Sequence, residues 1–191
     1  MSLMPRLARS AGVLSVFVLL TWVASAPCTA TTFVVAPDGS GDFTAIQPAI
    51  DACTHGDTVE VLAGTYTGAT NKNLNFWGVN LRLVAPAGPS ETVINCEGDG
   101  RGFSISHGET AEASVEGFTV RNGLAPFSGD GGGFFCAEGP GPTVTNCVLS
   151  DCSASYGGGL YCLRSSPILQ DCIIEDCTTA NHGGAVYLAG G

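Results

Sequence analysis

The sequence predicts an all-β protein, a right-handed parallel β-helix with a short N-terminal capping helix. Three observations predict it: glycine-rich blocks recur at a fixed spacing, short strand-like runs are separated by Gly, Pro, Asn or Asp, and good helix formers are scarce. The chain has 191 residues, of which 27 are glycine and 45% are hydrophobic. This length suits one domain, and this apolar content is enough to bury a core.

The repeat is the strongest of these signals. Glycine-rich blocks start at Gly131, Gly157 and Gly183, each 26 residues after the one before. A second block, residues 142–152, recurs at residues 167–177, and residues 115–123 resemble it more weakly. One such repeat cannot bury its own apolar positions, so we expect successive coils to stack into a solenoid with a continuous core.

Stacking aligns equivalent residues of adjacent coils, at an offset of 26 residues in the glycine blocks and 25 residues in the second block. It predicts these pairs: Cys136 with Cys162, Cys147 with Cys172, Cys152 with Cys177, Val144 with Leu169, and Leu149 with Ile174. The favoured interpretation of the cysteines is an interior ladder of free thiols, because parallel side chains give poor disulfide geometry. Disulfides between coils are the alternative, and the sequence has no zinc-ligand spacing.

The N-terminal part differs from the repeats. Residues 32–35 and 58–61 are predicted strands, and residues 63–66 a predicted turn. Thr44 and Gln47 have the spacing of a capping box at the start of a helix. The apolar stripe of that helix is Ile46, Ala49, Ile50 and Cys53. Such a helix would cover the first open coil, as solenoids require.

The first 30 residues are typical of a secretory signal peptide. Arg6 and Arg9 precede an apolar stretch at residues 11–23, which small residues follow. We expect cleavage after Ala30, and hence a secreted, extracellular or cell-surface protein. A membrane anchor and a lipid on Cys28 are the alternatives.

Cleavage leaves eight cysteines and a net charge of −12, compared with −10 for the whole chain. Such an acidic chain lacks the clustered cations that nucleic acid or a basic membrane-surface patch requires. We therefore expect no nucleic-acid partner. We also expect that the chain is not an integral membrane protein, because no segment after the signal is long or apolar enough to span a bilayer. The remaining chain divides into residues 31–90, the cap with the first coils, and residues 91–191, β-helix repeats that stop just inside a new coil, as in a truncated product.

The mature sequence resembles known β-helix proteins. Residues 34–66 resemble the N-terminal module of pectin methylesterases and many bacterial β-helix proteins. Residues 71–123 are similar to bacterial right-handed parallel β-helix repeat proteins of the pectate-lyase-like superfamily, and the glycine blocks resemble polymorphic outer-membrane protein repeats. The resemblance implies the fold and export, with a bacterial outer surface as the expected location. It does not imply one activity, because this fold carries lyases, esterases, adhesins and inert stalks.

The resemblance to polysaccharide lyases raises the question of calcium. The candidate ligands are Asp151, Asp171, Glu175 and Asp176, and Arg164 is the basic residue in these repeats. The favoured alternative places Asp151, Glu175 and Asp176 on a solvated turn, while Asn146 and Asp171 hydrogen-bond along an internal corner. The sequence identifies no catalytic residue and no cofactor-binding residue.

Other candidates for chemistry have simple structural explanations. His55, His107 and His182 are expected to be exposed turn residues, and Phe76 and Trp77 to pack in the core rather than stack on a sugar. The function expected is structural, adhesive or carbohydrate-binding, with a polysaccharide or cell-surface component as partner and end-to-end self-association through the open last coil. The alternative is a calcium-dependent, pectate lyase-like enzyme or a fragment of one.

Overall fold

The computed structural model describes residues 29–125 and 129–190. The predicted signal sequence therefore lies almost entirely outside the described residues. In chain order the elements are β1 (Thr32–Val35), α1 (Ile46–Asp51), β2 (Thr58–Val61), β3 (Gly64–Tyr66), the 3₁₀ helix η1 (Ala69–Asn71), β4 (Arg82–Val84), β5 (Thr92–Asn95), β6 (Phe103–Ile105), β7 (Ser114–Glu116), β8 (Thr119–Arg121), β9 (Phe134–Gly139), β10 (Thr143–Thr145), β11 (Val148–Ser150), β12 (Ser153–Tyr156), β13 (Leu160–Ser165), β14 (Ile168–Gln170), β15 (Ile173–Glu175), β16 (Thr178–His182) and β17 (Val186–Ala189).

The strands form four parallel sheets that run along the stack of coils. Their orders are β1-β2-β4-β7-β10-β14 in sheet A, β3-β5-β8-β11-β15 in sheet B, β6-β9-β13-β17 in sheet C and β12-β16 in sheet D. Every strand pairs in parallel with its equivalents in the neighbouring coils, because the chain passes through each sheet once per coil. This arrangement confirms the predicted all-β, parallel β-helix class, with one short α-helix among the described residues.

The predicted stacking register is also confirmed. Cys136 pairs with Cys162, Val144 with Leu169, and Leu149 with Ile174. The registers of sheets A, B and D on either side place Cys147 next to Cys172 and Cys152 next to Cys177. The side chains that alternate inward form one continuous core from Val35 to Cys162, and the eight described cysteines are free thiols.

Two of the corners are built on residues in the left-handed helical region. Between sheets A and B, Asn146 and Asp171 have φ of 49° and 52°; after sheet B, Asn122, Asp151 and Asp176 have φ between 52° and 54°. Asn and Asp tolerate this region better than other side-chain-bearing residues. Turn geometry therefore accounts for Asp151, Asp171 and Asp176. Asn146 and Asp171 are exposed, so the internal hydrogen-bonded corner expected for them is wrong.

The glycine blocks make the corner that precedes sheet C. Gly131, Gly157 and Gly183 have φ of 69°, 58° and 68°. In the first two blocks the next glycine has no room for a side chain: a Cβ on Gly158 would lie 2.4 Å from the Thr178 carbonyl oxygen. The 26-residue glycine signal thus reflects one left-handed turn followed by a close backbone approach.

The N-terminal helix forms as predicted, but its cap does not. Ala45 occupies the N-cap position without a side-chain hydrogen bond. The Ile46 N–H instead donates to Oδ1 of Asn71 at 2.8 Å, and the Gln47 side chain binds the backbone of Asn75. The capping-box prediction is wrong because groups from the next coil satisfy this end of the helix. The turn predicted at residues 63–66 is wrong as well, since β3 occupies most of it.

The last described coil exposes apolar side chains. Leu188 pairs with the buried Cys162 and so points along the interior column, yet it is 72% exposed. Leu169 and Val186 are also exposed, and with Leu160 they line an open cavity of about 420 Å³. In residues 29–125 and 129–190, no helix is long and apolar enough to cross a membrane.

Candidate functional site

A row of large exposed side chains follows the corner between sheets C and A. It consists of Trp77, His107, Glu138 and Arg164, one from each of four successive coils, and we call it the corner row. The registers of sheet C place Glu138 beside Arg164, and His107 in line with Glu138. Trp77 lies against His107, with ring centroids 5.1 Å apart. The row therefore runs parallel to the axis of the stack.

Backbone conformation sets this row apart from the other corners. Among the described residues, ten non-glycine residues have positive φ, and six of them are Asn or Asp. Three of the other four are in the corner row: Trp77 (φ 53°), Glu138 (φ 56°) and Arg164 (φ 49°). A bulky residue in this region is an outlier that costs on the order of 1–3 kcal/mol. Three of the four residues of the corner row therefore have a strained backbone, and each of them presents a large side chain at the corner.

The side chain of Trp77 is 60% exposed. The backbone N–H of Trp77 donates to Oδ1 of Asn75 at 2.8 Å. The backbone N–H of Asn75 in turn donates to the Gln47 side chain of α1. Phe76 is fully buried, as predicted, whereas the expected core packing of Trp77 is wrong. The left-handed conformation explains the difference, because it turns the chain at the corner and projects the indole outward.

A buried carboxylate fixes the turns that carry Trp77 and His107. Glu109 is almost fully buried, and its two oxygens accept hydrogen bonds from the N–H groups of Gly78 (2.9 Å) and His107 (2.8 Å). The same side chain therefore links two consecutive coils beside the rings. A preorganised pair of rings loses little conformational entropy when a ligand binds.

The three histidines are exposed, as predicted. His55 accepts a hydrogen bond at Nδ1 from the Asn80 N–H at 3.0 Å. His182 is the last residue of β16 and lies 6.0 Å from the Tyr156 ring, rather than in a turn. Of the three, His107 is the one that the corner row brings together with other candidate residues.

The other end of the row is an ion pair. Arg164 donates a hydrogen bond to the Glu138 carboxylate in the coil before it, and both side chains are more than half exposed. The hydrogen bond and the charge of Glu138 raise the pKa of Arg164, which therefore stays a cation. Such an exposed pair stabilises the fold little, but it offers both a donor and an acceptor to a polar ligand.

The outer face of sheet C supports the row with stacked aromatic rings. Phe135 and Tyr161 stack at 5.6 Å, and Tyr161 and Tyr187 at 5.7 Å, with ring planes within 7° of parallel. The Arg101 guanidinium lies over Phe135 at 4.9 Å, and burial lowers its pKa. These rings are half-buried or buried, so they stiffen the sheet beside the corner row.

The calcium candidates do not come together. Within residues 29–125 and 129–190, no group of three or more His, Cys, Asp or Glu side chains is arranged to hold a metal ion. Asp151 and Asp176 lie on one corner and Asp171 on another, while Glu175 ends β15. The calcium site stays a prediction without geometric support.

A lyase would also need a neutral basic group near its substrate. Lys72 is nearly buried and forms ion pairs with Asp99 and Glu97, the latter at 3.0 Å. Hydrogen bonds to Asp99 and Glu97 raise the pKa of Lys72, so this amine is held as a cation. Its environment suits a structural ion pair and not a general base.

The sequence contains a faint signal of the corner row that sequence analysis missed. Trp77, His107 and Glu138 each precede a glycine, and they follow one another at 30 and 31 residues, the local coil length. The pattern is not evident from residue types, because the residues at these positions differ.

No known protein family, curated protein or solved structure matches the chain.

Proposed function

We propose that this protein is a secreted or cell-surface β-helix that binds an extended glycan along the corner row. The observation that carries the proposal is Trp77, a 60% exposed tryptophan in a left-handed conformation against His107. An exposed indole offers an apolar face to the C–H groups of a sugar ring. The Glu138–Arg164 pair would bind hydroxyl groups further along the chain.

The periodicity of the fold supports an extended ligand. Equivalent side chains on neighbouring coils are about 4.8 Å apart, which is close to the length of one sugar residue in a linear polysaccharide. A linear chain could therefore meet one side chain of the row per sugar. The net charge, −10 for the whole chain and −12 after the predicted cleavage, repels polyanions, so a neutral glycan suits this surface better than polygalacturonate.

The proposal also includes secretion of the protein and its descent from a known β-helix superfamily. The signal-like residues 1–30 support secretion, and the resemblance of residues 34–123 supports descent from the pectate-lyase-like superfamily. A binding role needs the rigid stack and the surface row but no catalytic set. It therefore agrees with the geometry better than the lyase alternative does.

A glycan array with matched variants tests the proposal. We expect the wild-type protein to bind neutral linear glycans, Trp77→Ala to lose at least tenfold in affinity, and Trp77→Phe to keep most of it. Leu124→Ala, at another exposed apolar residue, is the control and should bind like wild type. Equal binding by wild type and Trp77→Ala would contradict the proposal. Release of unsaturated products from polygalacturonate that EDTA abolishes would favour the lyase instead.

A further inference from the structure

A buried carboxylate binds the chain where the β-helix begins. Asp57, which precedes β2, is only 3% exposed, and its Oδ1 accepts a hydrogen bond from the backbone N–H of Thr31 at 2.7 Å. Its Oδ2 accepts hydrogen bonds from the backbone N–H and the hydroxyl group of Thr54, at 2.7 and 2.9 Å. The residue just before β1 is therefore bound to one oxygen of a buried carboxylate.

The charge of Asp57 has no cationic partner among the described residues. The hydrogen bonds from the N–H groups of Thr31 and Thr54 lower the pKa of this carboxyl, so Asp57 is an anion at neutral pH. The four ion pairs within residues 29–125 and 129–190 all involve other carboxylates. Because a buried charge is costly unless it is paired, the site suits one further positive charge.

Thr31 is also the residue that follows the predicted cleavage site. Among the described residues, the hydrogen bonds of the chain begin at Thr31, whose N–H binds Asp57 and whose carbonyl oxygen accepts the N–H of Thr58 at 2.8 Å. Thr29 and Ala30 are exposed. The hydrogen-bonded stack and the predicted mature chain thus begin at the same residue.

We propose that Asp57 is the binding site for the α-ammonium group that cleavage between Ala30 and Thr31 creates; the inference rests on the proposed secretion. Hydrolysis of this peptide bond consumes one water. The new carboxyl group of Ala30 leaves with the signal peptide and ionises, and its proton passes to the Thr31 amine, which becomes an ammonium. The Thr31 nitrogen already lies 2.7 Å from Oδ1, so a neutral hydrogen bond becomes a charge-assisted ion pair in place. Cleavage therefore stabilises the first coil of the exported protein.

Proteins with defined N-termini test the site. Protein that starts at Thr31 is compared with protein that starts at Ala30, in which the Thr31 nitrogen is an uncharged amide. We expect the form that starts at Thr31 to melt about 3 °C higher. Asp57→Asn should remove the difference between the two forms. Glu109→Gln is the control and should keep it, because Glu109 is also a nearly buried carboxylate that binds two backbone N–H groups.

Acylation of the amine decides the matter even if Asp57→Asn fails to fold. At pH 7, an amine-selective ester should modify the wild-type Thr31 amine about tenfold more slowly than the wild-type Ala30 amine, because the carboxylate holds Thr31 as an ammonium. Peptide mapping measures the two rates. Equal acylation rates would overturn the inference, as would equal melting temperatures of the two wild-type forms.

Sequencing of the N-terminus after export of the full chain tests the cleavage by itself. We expect Thr31 as the first residue. Cleavage at another bond would overturn the inference and leave the proposed secretion intact. A chain that is not exported would contradict the secretion as well, whereas glycan binding is tested separately by the array.

Discussion

The indole of Trp77 lies over the turn of the following coil, with its ring centroid 5.1 Å from that of His107 and the two planes inclined by 57°. This contact joins two coils on the outside of the stack, whereas most contacts between coils are sheet hydrogen bonds or core packing. It depends on the positive φ of Trp77. Backbone strain and side-chain exposure therefore have a common origin at this residue.

The first prediction concerns that strain. We expect Trp77→Gly to be more stable than Trp77→Ala by about 1 kcal/mol, because both variants lose the ring contact and only glycine adopts the left-handed conformation freely. Denaturant unfolding of the two variants measures the difference. At His107, which does not have positive φ, the order should reverse, with His107→Ala more stable than His107→Gly. If Trp77→Ala were at least as stable as Trp77→Gly, the inference of backbone strain at residue 77 would be wrong.

The second prediction concerns the N-terminal helix. We expect Asn71→Ala to lower the free energy of unfolding by about 1–2 kcal/mol, because the Ile46 N–H and the Thr67 carbonyl both lose a hydrogen-bond partner in the interior. Thr44→Ala, which removes the residue of the predicted capping box, should change it by less than about 0.5 kcal/mol. The reverse ranking in thermal unfolding would restore the capping box.

The third prediction separates close packing from backbone conformation at glycines. Gly158→Ala should destabilise the protein by more than about 2 kcal/mol, because its Cβ would overlap three carbonyl oxygens. Gly98→Ala meets nothing within 4 Å, so it should cost only about 1 kcal/mol through its positive φ of 72°. Calorimetry on the two variants checks the ranking, and equal losses would contradict the close approach.

The fourth prediction concerns the last described coil, whose apolar side chains are exposed. Exposed interior side chains and unpaired strand edges favour association, and we expect end-to-end dimers or larger species in light scattering at tens of micromolar. Leu188→Glu should reduce association, because Leu188 points along the interior column. Ile173→Glu is the control, since Ile173 is 54% exposed but lies on the outer face of sheet B, where Ile174 points inward. A monodisperse wild-type monomer would contradict the prediction.

The sequence predicts the stack well because the β-helix is periodic. The offset between glycine blocks gives the register of sheet C, and the offset between residues 142–152 and 167–177 gives that of sheets A and B. Local rules failed where another coil supplies the partner. Asn71 replaces the Thr44 cap, and the corner at Trp77 turns outward a residue whose neighbour Phe76 is fully buried.

The candidate site was harder to foresee than the fold. The corner row is defined by a shared position in the coil, and its four members share no residue type. Only Trp77, Glu138 and Arg164 also share a positive φ. The calcium prediction lacks geometric support for the opposite reason. The acidic residues are chemically alike, and their likeness suggested a common ligand. Asp151, Asp171 and Asp176 instead share the left-handed turns that Asp tolerates.

Tryptophan fluorescence tests glycan binding at the corner row most directly. The chain has two tryptophans, and Trp77 alone remains after the predicted cleavage, so emission from protein starting at Thr31 reports this site. Titration with a neutral linear oligosaccharide should shift the emission to shorter wavelength and saturate, because the sugar removes water from the indole. His107→Ala should weaken the response. Binding detected by calorimetry without any change in Trp77 emission would contradict the account.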